Sequence, residues 1–174
     1  MMIAWLEALL FILLCSSTYD DYIHFTGLTC AAKYFQSQDK HTIWRSKIAK
    51  AENGERELSF EVFANQGRQV SGGKVFSQFF KQCESEFDVI EANWIKPPFS
   101  IDYRSAIPGE HRTNLESYLS ALKNHKDPKE AAKETFTGKM SIKFGFTDIE
   151  IVHNSPDHVK VRFRKTETKS HLKD

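Results

Sequence analysis

The sequence predicts an α+β fold: a small antiparallel or mixed sheet of four to five strands packed against three helices, with an apolar helix at the N-terminus. Three observations predict it. Val75, Phe76, Phe79, Phe80, Cys83 and Phe87 recur at steps of one, three and four residues, which lays them on one face of a helix. Val159, Val161 and Phe163 alternate with Lys160, Arg162 and Arg164, the period of a half-buried strand. Between these segments stand two helix starts. Thr113-Asn114-Leu115-Glu116 is a capping box, and Asp127-Pro128 puts proline at a first helical position.

The first forty residues form an apolar leader and a weakly specified stretch. Met1 to Cys15 is nearly all apolar, with Glu7 inside the run and no positive start. The run fits a secretory signal, a buried helix or a membrane anchor, although it is shorter than the ~20 residues a spanning helix needs. A signal would make the chain secreted or membrane-associated, with the leader contacting a membrane; otherwise it is cytoplasmic. Phe25, Leu28, Tyr34 and Phe35 show no clean period, and one short helix is expected from Thr29 to Gln36.

Residues 41–166 are read as a single α+β domain. Asn53-Gly54 signals a two-residue hairpin turn, because both residues tolerate positive φ. Leu58, Phe60, Val62 and Ala64 alternate with polar residues after it; before it Ile43, Trp44, Ile48 and Ala51 fit either a strand or a short helix, and a hairpin is the favoured reading. Asn65 to Gly73 is a polar loop, and the Ser71 hydroxyl can cap the helix expected over residues 74–86. A strand through Val89, Ile90, Ala92 and Trp94 stops at Pro97-Pro98. A long irregular connection then runs to His111, and helices follow at 113–124 and 128–144. On one unbroken helix Lys129, Lys133, Lys139 and Lys143 would share an arc with Phe136 and Met140, so either the helix breaks near Thr137-Gly138 or the lysines snorkel around its edge, and a break or bend is the favoured reading. Gly145 ends that helix. Asn154-Ser155-Pro156-Asp157 turns the strand Asp148–His153 back into His158–Arg164, and residues 167–174 are a polar tail. The expected core is Phe76, Phe79, Phe80, Val89, Trp94, Leu115, Leu119, Phe136, Met140, Ile151, Val161 and Phe163.

Composition bounds the function. A net charge of +1 excludes a domain that holds nucleic acid through bulk positive charge, but not a local basic patch. Fourteen phenylalanines can fill a sizeable core. Three cysteines, Cys15, Cys30 and Cys83, have no metal-type spacing and signal no disulfide framework; in an oxidising compartment the pairing considered is Cys15 with Cys30. The reading calls for no metal and no cofactor.

Four phrases carry a family resemblance. They are the helix after Ser71-Gly72-Gly73-Lys74-Val75, the strand end Asn93-Trp94-Ile95, the phrase Asn114-Leu115, and Glu130-Ala131-Ala132-Lys133-Glu134-Thr135-Phe136-Thr137-Gly138-Lys139-Met140 with Phe144-Gly145-Phe146. Over about residues 68–165 the chain resembles the C-terminal domains of bacterial secreted polymorphic-toxin and RHS-type proteins. The resemblance implies a toxin-like role and carries over no catalytic residue.

Each candidate site has a plain structural alternative. Ser71 and Lys74 open a helix whose free N–H groups can hold an anion, or are only a capped helix start. Thr135, Thr137, Gly138 and Lys139 can bind a phosphate or orient a substrate, or are a helix junction. His111 and His153 are the histidines placed for acid–base work, with structural or surface roles as the alternative. His153 and His158 can face each other across the last turn. Lys160, Arg162 and Arg164 form a basic strand face that can meet nucleic-acid phosphates, or a solvated face that discourages edge pairing. Two functions follow: a binding or assembly module for a protein partner, and a toxin-like effector acting on RNA, a nucleotide or another phosphate-bearing substrate. The first ranks ahead, because no catalytic constellation is visible in the sequence.

Overall fold

A computed structural model describes residues 23–64, 68–96, 113–124 and 127–166. The leader, its apolar helix, Cys15, His111 and the polar tail lie outside the described residues.

The fold is α+β, with six strands rather than four to five. In chain order they are β1 (Ala32–Gln36), β2 (Thr42–Lys50), β3 (Arg56–Ala64), β4 (Val89–Ile95), β5 (Asp148–Asn154) and β6 (His158–Arg164). In space the order is β1-β2-β3-β4-β6-β5. Only β3 and β4 run parallel, joined by a crossover through helix α1 (Gly72–Cys83); every other pair is antiparallel. The parallel register spans two residue pairs, Glu57–Val89 and Leu58–Ile90. Arg56 and Asp88 clamp it at the strand starts. Arg56 Nη2 lies 2.8 Å from Asp88 Oδ1 and its Nε 3.1 Å from Oδ2, and the two backbones are bonded as well. That guanidinium holds the Asp88 carboxyl below its usual range.

The sixth strand is the stretch expected to be helical. Residues 32–36 pair with β2, and Thr26 bridges to Tyr34 on the outer side. The apolar residues there alternate too briefly to declare a period, so pairing with β2 decides the conformation. The β2–β3 hairpin forms as expected, but its loop is longer than two residues. Ala51 N–H donates to Glu55 C=O at 2.8 Å around Glu52, Asn53 and Gly54. Gly54 takes the positive φ of +89°, so the three-residue loop closes with a glycine in the left-handed region.

Three further helices complete the layer: α2 (Asn114–Asn124), α3 (Pro128–Lys133) and α4 (Phe136–Lys143). The capping box is present, with Glu116 N–H donating to Thr113 Oγ1 at 3.2 Å and Thr113 N–H to Glu116 Oε2 at 2.9 Å. The segment 128–144 does break, but at Glu134-Thr135 rather than at Thr137-Gly138. Thr135 is extended and caps α4, accepting from Gly138 N–H at 2.9 Å. A new helix start, not a glycine kink, separates the lysines from the apolar stripe.

The helices cover one face of the sheet. Phe76, Phe79, Phe80, Trp94, Leu115, Val161 and Phe163 are buried there, and Leu119, Phe136, Met140 and Ile151 pack partly buried against them. Phe76 stacks on Phe80 at 4.6 Å, Phe80 on Phe144 at 4.3 Å, and Trp44 on Phe60 at 4.8 Å. Truncating one such buried ring typically costs about 3–5 kcal/mol, so this cluster is the main stabilising unit. Val89 is also buried, but its register with Glu57 and Arg164 sets it on the opposite face. Cys30 pairs not with Cys15 but with Cys83 at the end of α1, with Cα atoms 5.6 Å apart.

Asp39 ties the β1–β2 turn to the loop before α1. Its carboxylate accepts from the Ser37 hydroxyl, from Gln69 N–H at 2.8 Å and from His41 N–H at 3.0 Å. These bonds, Ser37 first, lower its pKa from 3.8 to about 2. A depressed carboxyl stabilises the fold above its unfolded pKa and loses that contribution as pH falls through the folded value. The gap in urea midpoint between the wild type and Asp39→Ala should therefore be constant above pH 3.8 and shrink towards pH 2. A gap unchanged across that window would show that the carboxylate makes no such contacts.

Candidate functional site on the uncovered sheet face

No described helix packs on the second face of the sheet. By register that face carries Glu57 on β3, Glu91 and Asn93 on β4, Lys160, Arg162 and Arg164 on β6, and Glu150 on β5. The three cations line up as the alternation requires, and each is ion-paired. Arg164 reaches Glu55 at 2.9 Å and Glu150 at 2.6 Å. Arg162 reaches Glu57 at 2.5 Å and Glu91 at 3.4 Å, and Lys160 lies 2.9 Å from Glu91. The Arg164 guanidinium lowers the Glu55 carboxyl, assisted by Asn53, and its own pKa is raised by the two carboxylates. A phosphate arriving here competes with carboxylates already in place. β6 is also an interior strand, between β4 and β5, so its charges have no edge to protect.

The network continues to one end of the face. Asn93 Nδ2 donates to Glu91 Oε1 at 3.2 Å, and Asn93 Oδ1 lies 3.2 Å from His158 Nε2. The His158 and His153 rings are side by side, with centroids 4.7 Å apart and planes tilted by 36°. A β-bulge produces this pairing. Ile149 and Ile151 oppose Phe163 and Val161 on the covered face, so strict alternation would send His153 there too. The register shifts at Val152, and His153 instead opposes Lys160 on the uncovered face. A consecutive apolar pair such as Ile151-Val152 does not mark the bulge in the sequence, since Val89-Ile90 pairs in regular register.

The remaining candidates occupy structural positions elsewhere. Ser71 Oγ accepts from Lys74 N–H at 3.2 Å and caps α1. The start of α1 lies against α4: a Cβ on Gly72 would stand 3.7 Å from the Phe136 ring, and one on Gly73 4.0 Å from Met140 Sδ. Thr135 is fully buried as the α4 cap and donates to Ala132 C=O at 2.8 Å. Thr137 is 2% exposed; its hydroxyl accepts from Asn114 Nδ2 at 3.0 Å and its N–H donates to Asn114 Oδ1 at 3.3 Å. Lys139 stands 3.9 Å from Glu134. Thr135 and Thr137 are therefore in the helix layer and His153 on the other side of the sheet, so these groups form no common cleft. The Asn114 and Thr-Phe-Thr-Gly phrases meet as the joint between α2 and α4. Among the described residues no cluster of three metal-ligating side chains occurs, and the exposed large apolar side chains are Leu28, Ile95 and Val152. The chain matches no family model, no curated protein and no solved structure.

Proposed function

We propose that the chain is a toxin-like effector domain, of the kind carried at the C-termini of polymorphic-toxin and RHS-type proteins, acting on a phosphate-bearing substrate. Its chemistry is proton transfer at the His153–His158 end of the uncovered face. The observation that carries this reading is the imidazole pair: a bulge turns His153 out of the covered face and sets it beside His158. Imidazole is the side chain whose ordinary titration makes it both acid and base near neutral pH. Lys160 lies opposite His153 in register, and its ammonium, paired with Glu91, has two further N–H groups to donate to a phosphoryl oxygen. The assembly reading rests on another observation. Ile95, 63% exposed, opposes His158, and Val152, 45% exposed, adjoins His153, so a protein partner would dock at this same end.

The test is expression of the full chain in bacterial cytosol, in an ordinary strain and in one whose cytosol is oxidising, with growth followed. Growth arrest by the wild type should be relieved by the double variant His153→Ala/His158→Ala, since losing acid–base catalysis removes about 10²–10⁴-fold in rate. Arrest that persists in a folded double variant would remove the site from the mechanism. Normal growth with soluble, folded wild-type protein would remove the effector reading and leave assembly.

A further inference from the structure

Resting on that effector reading, we infer that the substrate is RNA, cleaved by transfer of its own ribose 2′-hydroxyl onto the adjacent phosphorus between His158 as base and His153 as acid. RNA brings its nucleophile with it. The protein need only take one proton, give one proton and steady one extra negative charge on the phosphoryl oxygens. Two imidazoles beside an ammonium supply those three functions and nothing more elaborate.

The hydrogen bonds assign the roles. Asn93 Nδ2 donates to Glu91, so Asn93 presents its oxygen to His158. An oxygen only accepts; His158 Nε2 therefore carries the hydrogen, and the neutral ring keeps its lone pair at Nδ1. Nδ1 of His158 is the base. His153 has its ring contact with His158 and no hydrogen bond to a carboxylate or carbonyl among the described residues, so its ring nitrogens are left to meet the leaving group. It is the acid. In the step, the 2′-O–H proton passes to His158 Nδ1 as the 2′-oxygen bonds to phosphorus. The bond from phosphorus to the 5′-oxygen breaks, and the proton of the His153 imidazolium goes to that oxygen. The products are a 2′,3′-cyclic phosphate and a 5′-hydroxyl, with no net change in protons or electrons. Lys160, which gives one N–H to Glu91, has two more for the phosphoryl oxygens. Asn93 is a positioning residue, acting through the tautomer of His158.

The experiment uses the purified full chain and two oligonucleotides of one sequence, one of plain RNA and one 2′-O-methylated throughout, with products identified by mass. Cleavage of the RNA to cyclic-phosphate ends is expected, with the methylated strand intact. His158→Ala and His153→Ala should each lower the rate by about 10²–10⁴-fold at an unchanged urea midpoint. Asn93→Ala should lower kcat and leave KM in place, the mark of an interaction made in the transition state. Cleavage of the methylated strand would overturn the inference, because the 2′-hydroxyl would not be the nucleophile. Intact RNA from a chain that still arrests growth through His153 and His158 would overturn it too, while the effector reading stands.

Discussion

Breaking the bridge between Cys30 and Cys83 should lower folding stability by about 4 kcal/mol, whether by a thiol reductant or by Cys30→Ser. The bridged residues are 53 apart in sequence. In the chain-entropy account a closed loop of 15 residues is worth about 3 kcal/mol and one of 100 about 4.7, so this loop falls between them. The native consequence is local. Cys30 precedes β1, whose described partners are β2 and the single bridge from Thr26. Cys83 is fully buried at the end of α1. The bond thus pins the outer strand to the helix that crosses over the core. After reduction Cys83 stays inside as a small apolar group, so little enthalpy is lost there. Urea unfolding with and without reductant measures the effect: the oxidised midpoint should drop on reduction to that of Cys30→Ser, which should itself ignore the reductant. An oxidised protein whose midpoint does not move would mean that the bridge constrains nothing.

Much of this fold was legible because its elements repeat at one period. Helix α1 carries its apolar residues at helical spacing and β6 alternates without a break, so both read directly from the sequence. Strand β1 did not, since Lys33, Tyr34 and Phe35 hold no period long enough to see, and pairing with β2 decides its state. The break in 128–144 was legible as a conflict and misplaced by one turn. Gly138 looked like the breaker, while Thr135, three residues before it, supplies the cap. The site was half legible. Alternation gave the row Lys160, Arg162 and Arg164, but Glu55, Glu57 and Glu91 come from other strands and neutralise it in space. His153 was visible as a residue; its face was not, because one extra residue at Val152 reverses the parity on which a strand reading depends.

Gly138→Ala should destabilise the protein by about 3 kcal/mol or more, against what helix propensity alone predicts. Within a helix, alanine is favoured over glycine by about 1 kcal/mol. Gly138 is the third residue of α4 and has no positive φ, so its backbone gives alanine no difficulty. Space is the difficulty. A Cβ at this position would stand 2.0 Å from the Ala132 carbonyl oxygen and 2.9 Å from Lys133 Cα. Both are backbone atoms of α3, so no side-chain rotation relieves the clash, and one helix must move. Moving α4 would pull on two further supports: the bond from Gly138 N–H to Thr135 Oγ1, and the pair linking Thr137 to Asn114. A buried polar group left unpaired costs about 1–3 kcal/mol, which adds to the overpacking. Gly54→Ala is the matched control. Nothing lies within 4 Å of its Cβ, but φ is +89°, so about 1 kcal/mol of backbone strain is its whole expected cost. Urea midpoints of the two variants then separate steric contact from conformational freedom. A Gly138→Ala protein as stable as the wild type, or more so, would mean that α3 and α4 do not approach at this glycine, and that the joint between the helices is built in some other way.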